Sequence, residues 1–410
     1  MLGVSVVLAA SLLPAASAAA APAPITSRYF GVSDGAPAGT SPAGFPRAPV
    51  GSLRLWDSGV TWKELEVAKN KWNWTKLDAI VATARAKGAK PMLVLGQTPR
   101  FHSTRPGLVG FYGSGSPTMP KLYYWKRYVA KVAQRYGTKL DYQVWNEPNV
   151  SGMWRGTPAQ MAQLTAVTRQ VLKAWAPGAT LVAPSFPVRL VTQRSWVSRY
   201  YAQRTGGRPV SAYVDVVSLN LYPLENDRPE ESMQLLRASR QILSSRGVRG
   251  KPIWNTEINY GLNGRGTGAK NISRRREAAY VARTYVLNAA NNVKRVYWYA
   301  WDLQRLGNTE MTYRNGATLA PGGRAFGVVS SWLVGGRMRG CTVSSAGTYT
   351  CTVTYSGGVK RIYWNPSRAS TIRTVGSATY YQGALGAQTR LRGKKALRVS
   401  YSPVMVRSRR

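Results

Sequence analysis

Histidine and cysteine are nearly absent from this sequence. Its 410 residues include one histidine, His102, and two cysteines, Cys341 and Cys351. Zinc and most transition-metal sites need several such ligands, so we expect neither a metal nor a cofactor. Long apolar runs are also absent after the first 21 residues, which excludes a bilayer-spanning helix from the rest of the chain.

Acidic residues are scarce as well. Asp and Glu number 16 against 57 Lys and Arg, which gives a formal net charge of +41, and no acid follows Glu310. Two interpretations are open: the charge is a solvated surface of an arginine-rich chain, or it concentrates an anionic polymer or envelope surface around the protein. Nucleic-acid binding is a weaker third option, because no recognisable nucleic-acid motif is present.

The first 21 residues are apolar and end in a run of small residues that contains Ala16, Ser17 and Ala18. This pattern predicts a secretory signal peptide over 1–21 and therefore a secreted or envelope-associated protein. No Lys or Arg precedes the apolar stretch, so a misassigned start and a retained weak anchor stay open as alternatives.

Eight strand-like runs follow, and most of them are separated by helical patterns. The strands are predicted at 29–33, 52–57, 91–96, 140–147, 180–184, 214–222, 252–257 and 295–302. Eight such repeats favour an α/β fold, a (β/α)8 TIM barrel over residues 25–335. A doubly wound open sheet competes with it, but no glycine-rich phosphate turn follows an early strand. A long loop over 98–120 is expected to wall a cleft.

The pattern changes to short Val/Thr/Tyr alternations near residue 336. Strands predicted at 350–355, 359–364, 387–392 and 396–401 indicate a small antiparallel, β-sandwich-like domain over 336–410. We expect it to pack against the barrel, with a separate glycan-binding role as the alternative. In an exported protein, Cys341 and Cys351 are expected to bridge a hairpin, contributing on the order of 2–3 kcal/mol.

Glu147 and Glu257 are set apart from the other glutamates because each ends an apolar strand. They occur in Trp145-Asn-Glu-Pro148 and Trp254-Asn-Thr-Glu257. In a barrel, the carboxyl ends of the strands hold the active site, so this placement predicts a paired-carboxylate enzyme. Glu310 falls in a loop, and the remaining glutamates are predicted to be solvated: Glu64, Glu66, Glu225, Glu230, Glu231 and Glu277.

These two motifs resemble the signatures of clan A glycoside hydrolases, which are retaining enzymes on (β/α)8 barrels. The resemblance covers about 29–333 and is greatest to family 39 and its relatives, through 53–57, 96–99 and 321–332. It implies that Glu147 is the acid/base and Glu257 the nucleophile.

The resemblance also implies roles for surrounding residues. Arg54 and Tyr222 would hold the nucleophile, and Asn146 would donate to the sugar 2-hydroxyl. Asn220 stands where many clan members carry His. Trp301 would be the platform under the sugar, with structural packing as its alternative. A structural ion pair with Asp57 or Asp302 is the alternative for Arg54. Residues that would line outer subsites are His102, Trp56 and Trp154.

The sequence therefore predicts a secreted retaining glycosidase with a polysaccharide or oligosaccharide substrate, preferably an anionic exopolysaccharide or cell-envelope glycan. Two carboxylates in a double displacement would carry the chemistry. A barrel that binds polyanionic glycans without cleaving them is the alternative, and intact Glu147 and Glu257 disfavour it. Transglycosylation stays open, because it begins from the same glycosyl-enzyme.

Overall fold

The computed structural model describes residues 22–34, 45–224, 228–261, 272–301, 309–313 and 318–409. The signal peptide predicted over 1–21 lies outside these ranges, as do Glu225 and Asp302. Within the described ranges, no helix combines the length and apolar character needed to cross a membrane.

Eight parallel strands form the inner wall of the first part of the chain, as predicted. All are short and almost wholly buried, because helices cover their outer side and other strands face them across the interior. They are β1 Phe30–Ser33, β2 Ser52–Leu55, β3 Lys90–Leu95, β4 Asp141–Val144, β5 Leu181–Val182 continued by Phe186–Pro187, β6 Val217–Asn220, β7 Ile253–Ile258 and β8 Val293–Tyr299.

Strand pairing closes this sheet into a barrel. β8 pairs with β1 in parallel, so the first and last strands are neighbours. β5 is interrupted at Ala183–Ser185: its first piece pairs with β4 and its second with β6. An additional bridge from Val182 to Val216 spans the same gap. The ring of eight strands is therefore continuous, which confirms the predicted (β/α)8 barrel.

Seven helices surround the barrel: α1 Thr75–Ala86, α2 Leu122–Tyr136, α3 Pro158–Trp175, α4 Val191–Tyr201, α5 Pro229–Ser245, α6 Arg274–Ala290 and α7 Pro321–Leu333. The start of α3 shows why the sequence specifies these positions. Thr157 accepts a hydrogen bond from the backbone of Gln160, and Pro158 occupies the first turn, where its missing N–H is not needed.

Residues 72–87 have a helical pattern in the sequence, but in the structure α1 begins only at Thr75. A short helix at Trp62–Leu65 and a hairpin of Glu66–Ala68 with Lys71–Trp72 come first. Trp72 and Trp74 stack with ring centroids 5.2 Å apart, and α1 begins only after them. Tertiary aromatic packing overrides the local helical pattern here.

The barrel interior is apolar at one level and charged toward the amino ends of the strands. Met92, Val182, Val216, Trp254 and Tyr297 form a separate buried cluster inside the ring. Beneath it, Arg295 donates to Asp141 at 2.6 Å, and its guanidinium lies 3.9 Å from the centre of the Trp254 ring. This packing fills the lower barrel and leaves its upper end for the polar groups described below.

Beyond α7 the chain forms antiparallel strands, as predicted. The strands are β9 Arg337–Val343, β10 Tyr349–Tyr355, β11 Gly358–Trp364, β12 Ser370–Arg373, β13 Ala378–Gly383, β14 Gln388–Arg390, β15 Ala396–Val399 and β16 Val404–Ser408. A six-stranded sheet has the order β9-β10-β11-β16-β13-β14, and β12 pairs with β15. Cys341 and Cys351 are direct cross-strand partners joined by a disulfide, which confirms the expected bridge.

One face of the six-stranded sheet packs against the barrel helices. The indole of Trp332 in α7 donates to Gln382 in β13 at 2.8 Å. The indole of Trp364 in β11 donates to Glu230 in α5, also at 2.8 Å. Both tryptophans are fully buried, so the contact is part of the protein core.

Candidate active site

The two predicted catalytic glutamates lie at the carboxyl ends of β4 and β7. Glu257 is within β7 and is 5% exposed. Glu147 is in the turn after β4, where its backbone N–H donates to the Ser185 carbonyl at 3.0 Å. Trp145 and Glu147 have φ values of 58° and 47°, which are costly for non-glycine residues. Such conformations cluster at functional sites, where the surrounding structure maintains them.

Arg54 lies at the floor of this end of the barrel and is fully buried. Its Nη1 donates to Glu257, Nε donates to Gln143 at 2.8 Å, and Nη2 donates to Asn146 at 2.6 Å. Nη2 also donates to Ser185 Oγ at 3.1 Å. The guanidinium therefore positions the nucleophile candidate and the residue before Glu147 together.

A chain of hydrogen bonds continues from Gln143 to Glu147. Gln143 donates to Ser218 Oγ at 2.7 Å, and the Ser218 and Thr256 hydroxyls are 2.7 Å apart. Thr256 donates to the Asn220 carbonyl oxygen at 2.7 Å, and this orients the Asn220 amide nitrogen to donate to Glu147 at 2.8 Å. Asn220 was predicted to be a site residue, but Ser218 and Thr256 were not, because their surroundings in the sequence are those of ordinary strand residues.

The two glutamates differ in their hydrogen-bond donors. Glu257 accepts hydrogen bonds from Arg54 and, at 3.0 Å, from the Tyr222 hydroxyl, whereas Glu147 accepts one from the neutral amide of Asn220. Burial raises the pKa of both carboxyls, and the charge of Glu147 further raises the pKa of Glu257. Arg54 lowers the pKa of each, but only Glu257 contacts it directly. Because a cation and a phenol contact Glu257 and a neutral amide contacts Glu147, the hydrogen bonds favour the negative charge on Glu257 and the proton on Glu147.

Asp57 is a third carboxylate of the cleft, and sequence analysis did not propose it as a binding residue. It follows β2, and its two oxygens accept hydrogen bonds from Tyr112 and Tyr299, each at 2.7 Å. Burial and Asp57 both raise the pKa of these tyrosines, so they remain protonated donors. Trp56, predicted to line a subsite, donates its indole N–H to the Tyr112 hydroxyl at 2.8 Å.

The remaining predicted subsite aromatics are buried. Trp301 is 3% exposed, its ring centre lies 6.2 Å from that of Phe326, and its backbone N–H donates to the Ser33 carbonyl. Trp154 is also 3% exposed and packs edge-on against Trp145. These positions are after β8 and β4 respectively, at the correct end of the barrel.

The hydrogen-bond partner of His102 is Glu66, which does not belong to the pair of Glu147 and Glu257. Its Nε2 lies 3.0 Å from Glu66 Oε1, and its ring stacks between those of Trp62 and Tyr124. With 1% of its surface exposed, His102 belongs to a buried polar cluster behind the cleft.

The prediction that Glu66, Glu230 and Glu277 are solvated is wrong. Glu66 and Glu277 are each 2% exposed, and Glu230 is paired with the buried Arg283. Glu66 and Glu230 have partners in distant segments, His102 and Arg283, whereas Glu277 pairs with Arg274, three residues before it. In the described ranges, no group of three His, Cys, Asp or Glu side chains is arranged to hold a metal ion.

Comparison with known proteins agrees with this geometry. Residues 125–326, which include both glutamates, match the family model described as "Glycosyl hydrolase catalytic core". This stretch is similar to the catalytic core of glycosyl hydrolases. The prediction of a glycosidase is thereby confirmed at the level of enzyme class. A search of curated proteins finds no sequence match.

Solved structures share the fold of this glycosyl hydrolase. A family 39 glycoside hydrolase from Bacteroides cellulosilyticus WH2 superposes with a TM-score of 0.69 at 16% identity, covering 94% of this chain and 81% of that one. A glucosidase from Croceicoccus marinus has a TM-score of 0.69 at 14% identity, with 95% and 97% covered. A family 39 β-xylosidase from Caulobacter crescentus has a TM-score of 0.68 at 16% identity, and the match covers 95% of this chain and 98% of that one. The family match confirms the predicted resemblance to glycoside hydrolases, and the solved structures confirm the shared barrel fold.

Proposed function

We propose that this protein is a secreted retaining glycoside hydrolase that cleaves an anionic exopolysaccharide or cell-envelope glycan. The observation that carries the proposal is the asymmetry of the carboxyl pair. Glu257 is held by a cation and a phenol, as a nucleophilic carboxylate requires, whereas Glu147 has only one amide donor.

In the first step, a Glu257 oxygen attacks the anomeric carbon while the bond to the leaving oxygen breaks. The Glu147 proton passes to that oxygen, and a covalent glycosyl-enzyme results. In the second step, water attacks the same carbon, Glu147 accepts the proton of the water, and the bond to Glu257 breaks. Each carboxyl then returns to its starting protonation state.

Asn146 is oriented for a role in both steps. Its carbonyl oxygen accepts from Arg54 and, at 2.8 Å, from Ser185. The amide nitrogen is therefore the group left to donate to the substrate, and the sugar 2-hydroxyl is the acceptor that strengthens this bond in the transition state. Tyr222 holds the nucleophile, and Trp301 would supply the apolar surface beneath the sugar.

The choice of an anionic substrate rests on the charge balance. A net charge of +41 concentrates polyanions around the protein and would draw such a glycan toward the cleft. The apolar segment 1–21 supports export, which would bring the enzyme to exopolysaccharides and envelope glycans.

Reducing-end release from a panel of neutral and anionic glycans tests this function. Glu147→Gln and Glu257→Gln should each lower the rate at least about a hundredfold on the cleaved glycan. Glu231→Gln, a change at the start of α5, is the matched control and should have no effect. Cleavage that persists in Glu257→Gln would exclude this mechanism, and product analysis would separate hydrolysis from transglycosylation.

A further inference from the structure

Arg189 lies in the short segment between β5 and α4, at the same end of the barrel as the two catalytic glutamates. The backbone of this segment is fixed on both sides. Arg194 donates to the carbonyls of Val188 and Arg189 at 2.8 and 3.0 Å. Asn149, two residues after Glu147, donates to the Pro187 carbonyl at 2.8 Å. Arg189 is thus presented from a segment that is tied to the turn carrying the acid/base.

Arg189 is partly buried, and no described residue accepts a hydrogen bond from its guanidinium or forms an ion pair with it. The nearby carboxylates are already engaged: Glu257 by Arg54, and Asp57 by Tyr112 and Tyr299. The positive charge of Arg189 lowers the pKa of Glu147, which places the charge near the acid/base. Arg189 is therefore a cation at this end of the barrel whose donors are not taken by any side chain in the described part of the chain.

An anionic glycan would meet repulsion in this cleft without such a cation. Asp57, Glu147 and Glu257 supply carboxyl groups, and Arg54 is fully buried beneath them with its donors taken. A planar guanidinium binds a carboxylate through two parallel hydrogen bonds, more strongly than a neutral donor does. Because the acid/base protonates the leaving oxygen, a group beside Glu147 faces the leaving-group half of the substrate.

We propose that Arg189 binds the carboxylate of a uronic acid residue in the leaving-group half of the substrate and so selects carboxylated glycans. This inference rests on the proposed function, since it assigns a substrate substituent to the same cleft. Arg189 is in this view a specificity-determining residue and takes no part in proton transfer.

Equilibrium binding tests this role without requiring turnover. The ligands are a β-1,4-linked glucuronic acid tetramer and cellotetraose, which differ only in carboxylates against hydroxymethyl groups. In a Glu257→Gln background, we expect the uronate to bind more tightly. Adding Arg189→Gln should weaken uronate binding about 10- to 100-fold and change cellotetraose binding less than about twofold.

Two further variants make the result specific. Arg199→Gln removes the same charge from an exposed site on α4 and should leave the preference intact. Arg189→Lys keeps the charge but loses the paired N–H donors of the planar guanidinium, so it should retain only part of the affinity for the uronate. Three results would overturn the proposal. Arg189→Gln could weaken binding of both ligands equally, or it could leave the preference for the uronate unchanged. The parent could also bind the two ligands with equal affinity. None of these outcomes depends on hydrolysis, so they are distinct from a failure of Glu147 and Glu257 to catalyse.

Discussion

The buried guanidinium of Arg54 donates a hydrogen bond to the carboxylate of Glu257 across the top of the barrel. This contact joins the second strand to the seventh, and the other nitrogens of Arg54 reach Gln143 and Asn146. One side chain thus donates to Glu257 and positions the strand that leads to Glu147.

Arg54→Lys should therefore lower kcat by at least about a hundredfold, although the charge is retained. An ammonium group cannot make the diverging hydrogen bonds of a guanidinium fork. The measurement is kcat together with the melting temperature, which should also fall. Arg135→Lys is the control, because Arg135 and its partner Asp78 are 44% and 40% exposed and such a surface pair contributes little. A kcat within threefold of the parent would show that catalysis does not require the diverging hydrogen bonds of the Arg54 guanidinium.

Asn220→Ala should move the alkaline limb of the kcat/KM profile to higher pH. The Asn220 amide donates to Glu147 and favours its ionised form, so removing it raises the pKa of the acid/base. We expect a displacement of about one pH unit. Thr256→Val, which releases the Asn220 amide from its fixed orientation, should move the limb in the same direction by less. A limb that stays in place in both variants would assign the alkaline limb to another group.

Glu147→Gln should stabilise the fold, with an effect that grows as pH rises. Burial raises the pKa of Glu147 above its ordinary 4.5, so ionisation disfavours the folded state. The parent then loses stability as pH increases from about 4.5 toward the raised value, whereas glutamine does not ionise. Chemical denaturation at pH 4 and pH 8 should show no difference at the lower pH and a gain on the order of 1 kcal/mol at the higher. A larger gain at pH 4 would contradict the sign of this effect.

His102→Phe should reduce stability and leave KM unchanged. Glu66 accepts hydrogen bonds from Trp62 at 2.8 Å and the Asn70 backbone at 2.9 Å, and His102 completes its environment. Removing one partner of a buried carboxylate costs about 2 kcal/mol. Urea unfolding and substrate titration distinguish the roles: a raised KM at unchanged stability would restore His102 to the subsites.

The disulfide should contribute stability without touching catalysis. Replacing Cys341 and Cys351 together with serine removes a cross-link over a ten-residue separation, and the free energy of unfolding should fall by about 2–3 kcal/mol. Activity at a temperature well below the transition should be unchanged, since the bridge lies in the C-terminal sheet. Loss of activity in the folded variant would point to an unrecognised coupling of this sheet to the cleft.

Sequence analysis located the barrel and the carboxyl pair because both depend on local pattern. Apolar runs that end in a glutamate are visible in one dimension, and the barrel rule brings their ends together. The same rule would have selected Asp57, which also follows a strand, had it been applied to aspartate. Most other differences are at element ends, as in β5, which is interrupted at Ala183–Ser185, where Pro184 lacks the N–H that a strand donates.

Contacts between distant segments were beyond prediction. Gln143, Ser218 and Thr256 are polar residues inside strands, and nothing in their sequence neighbourhoods shows that they face one another across the barrel. Tyr112 comes from the long loop over 98–120, whose path depends on the whole fold. The buried state of Glu66 likewise depends on a histidine 36 positions away in the chain.

The pairing of Trp332 with Gln382 and of Trp364 with Glu230 has a consequence for modularity. These contacts make the outer sides of α5 and α7 an internal surface shared with the C-terminal sheet. That sheet is not an interchangeable accessory, because its removal would expose the indole of Trp332 and take away Trp364, one of the donors to Glu230. A chimera that exchanges the sheet must exchange these helix faces with it, and the two parts should melt in a single cooperative transition.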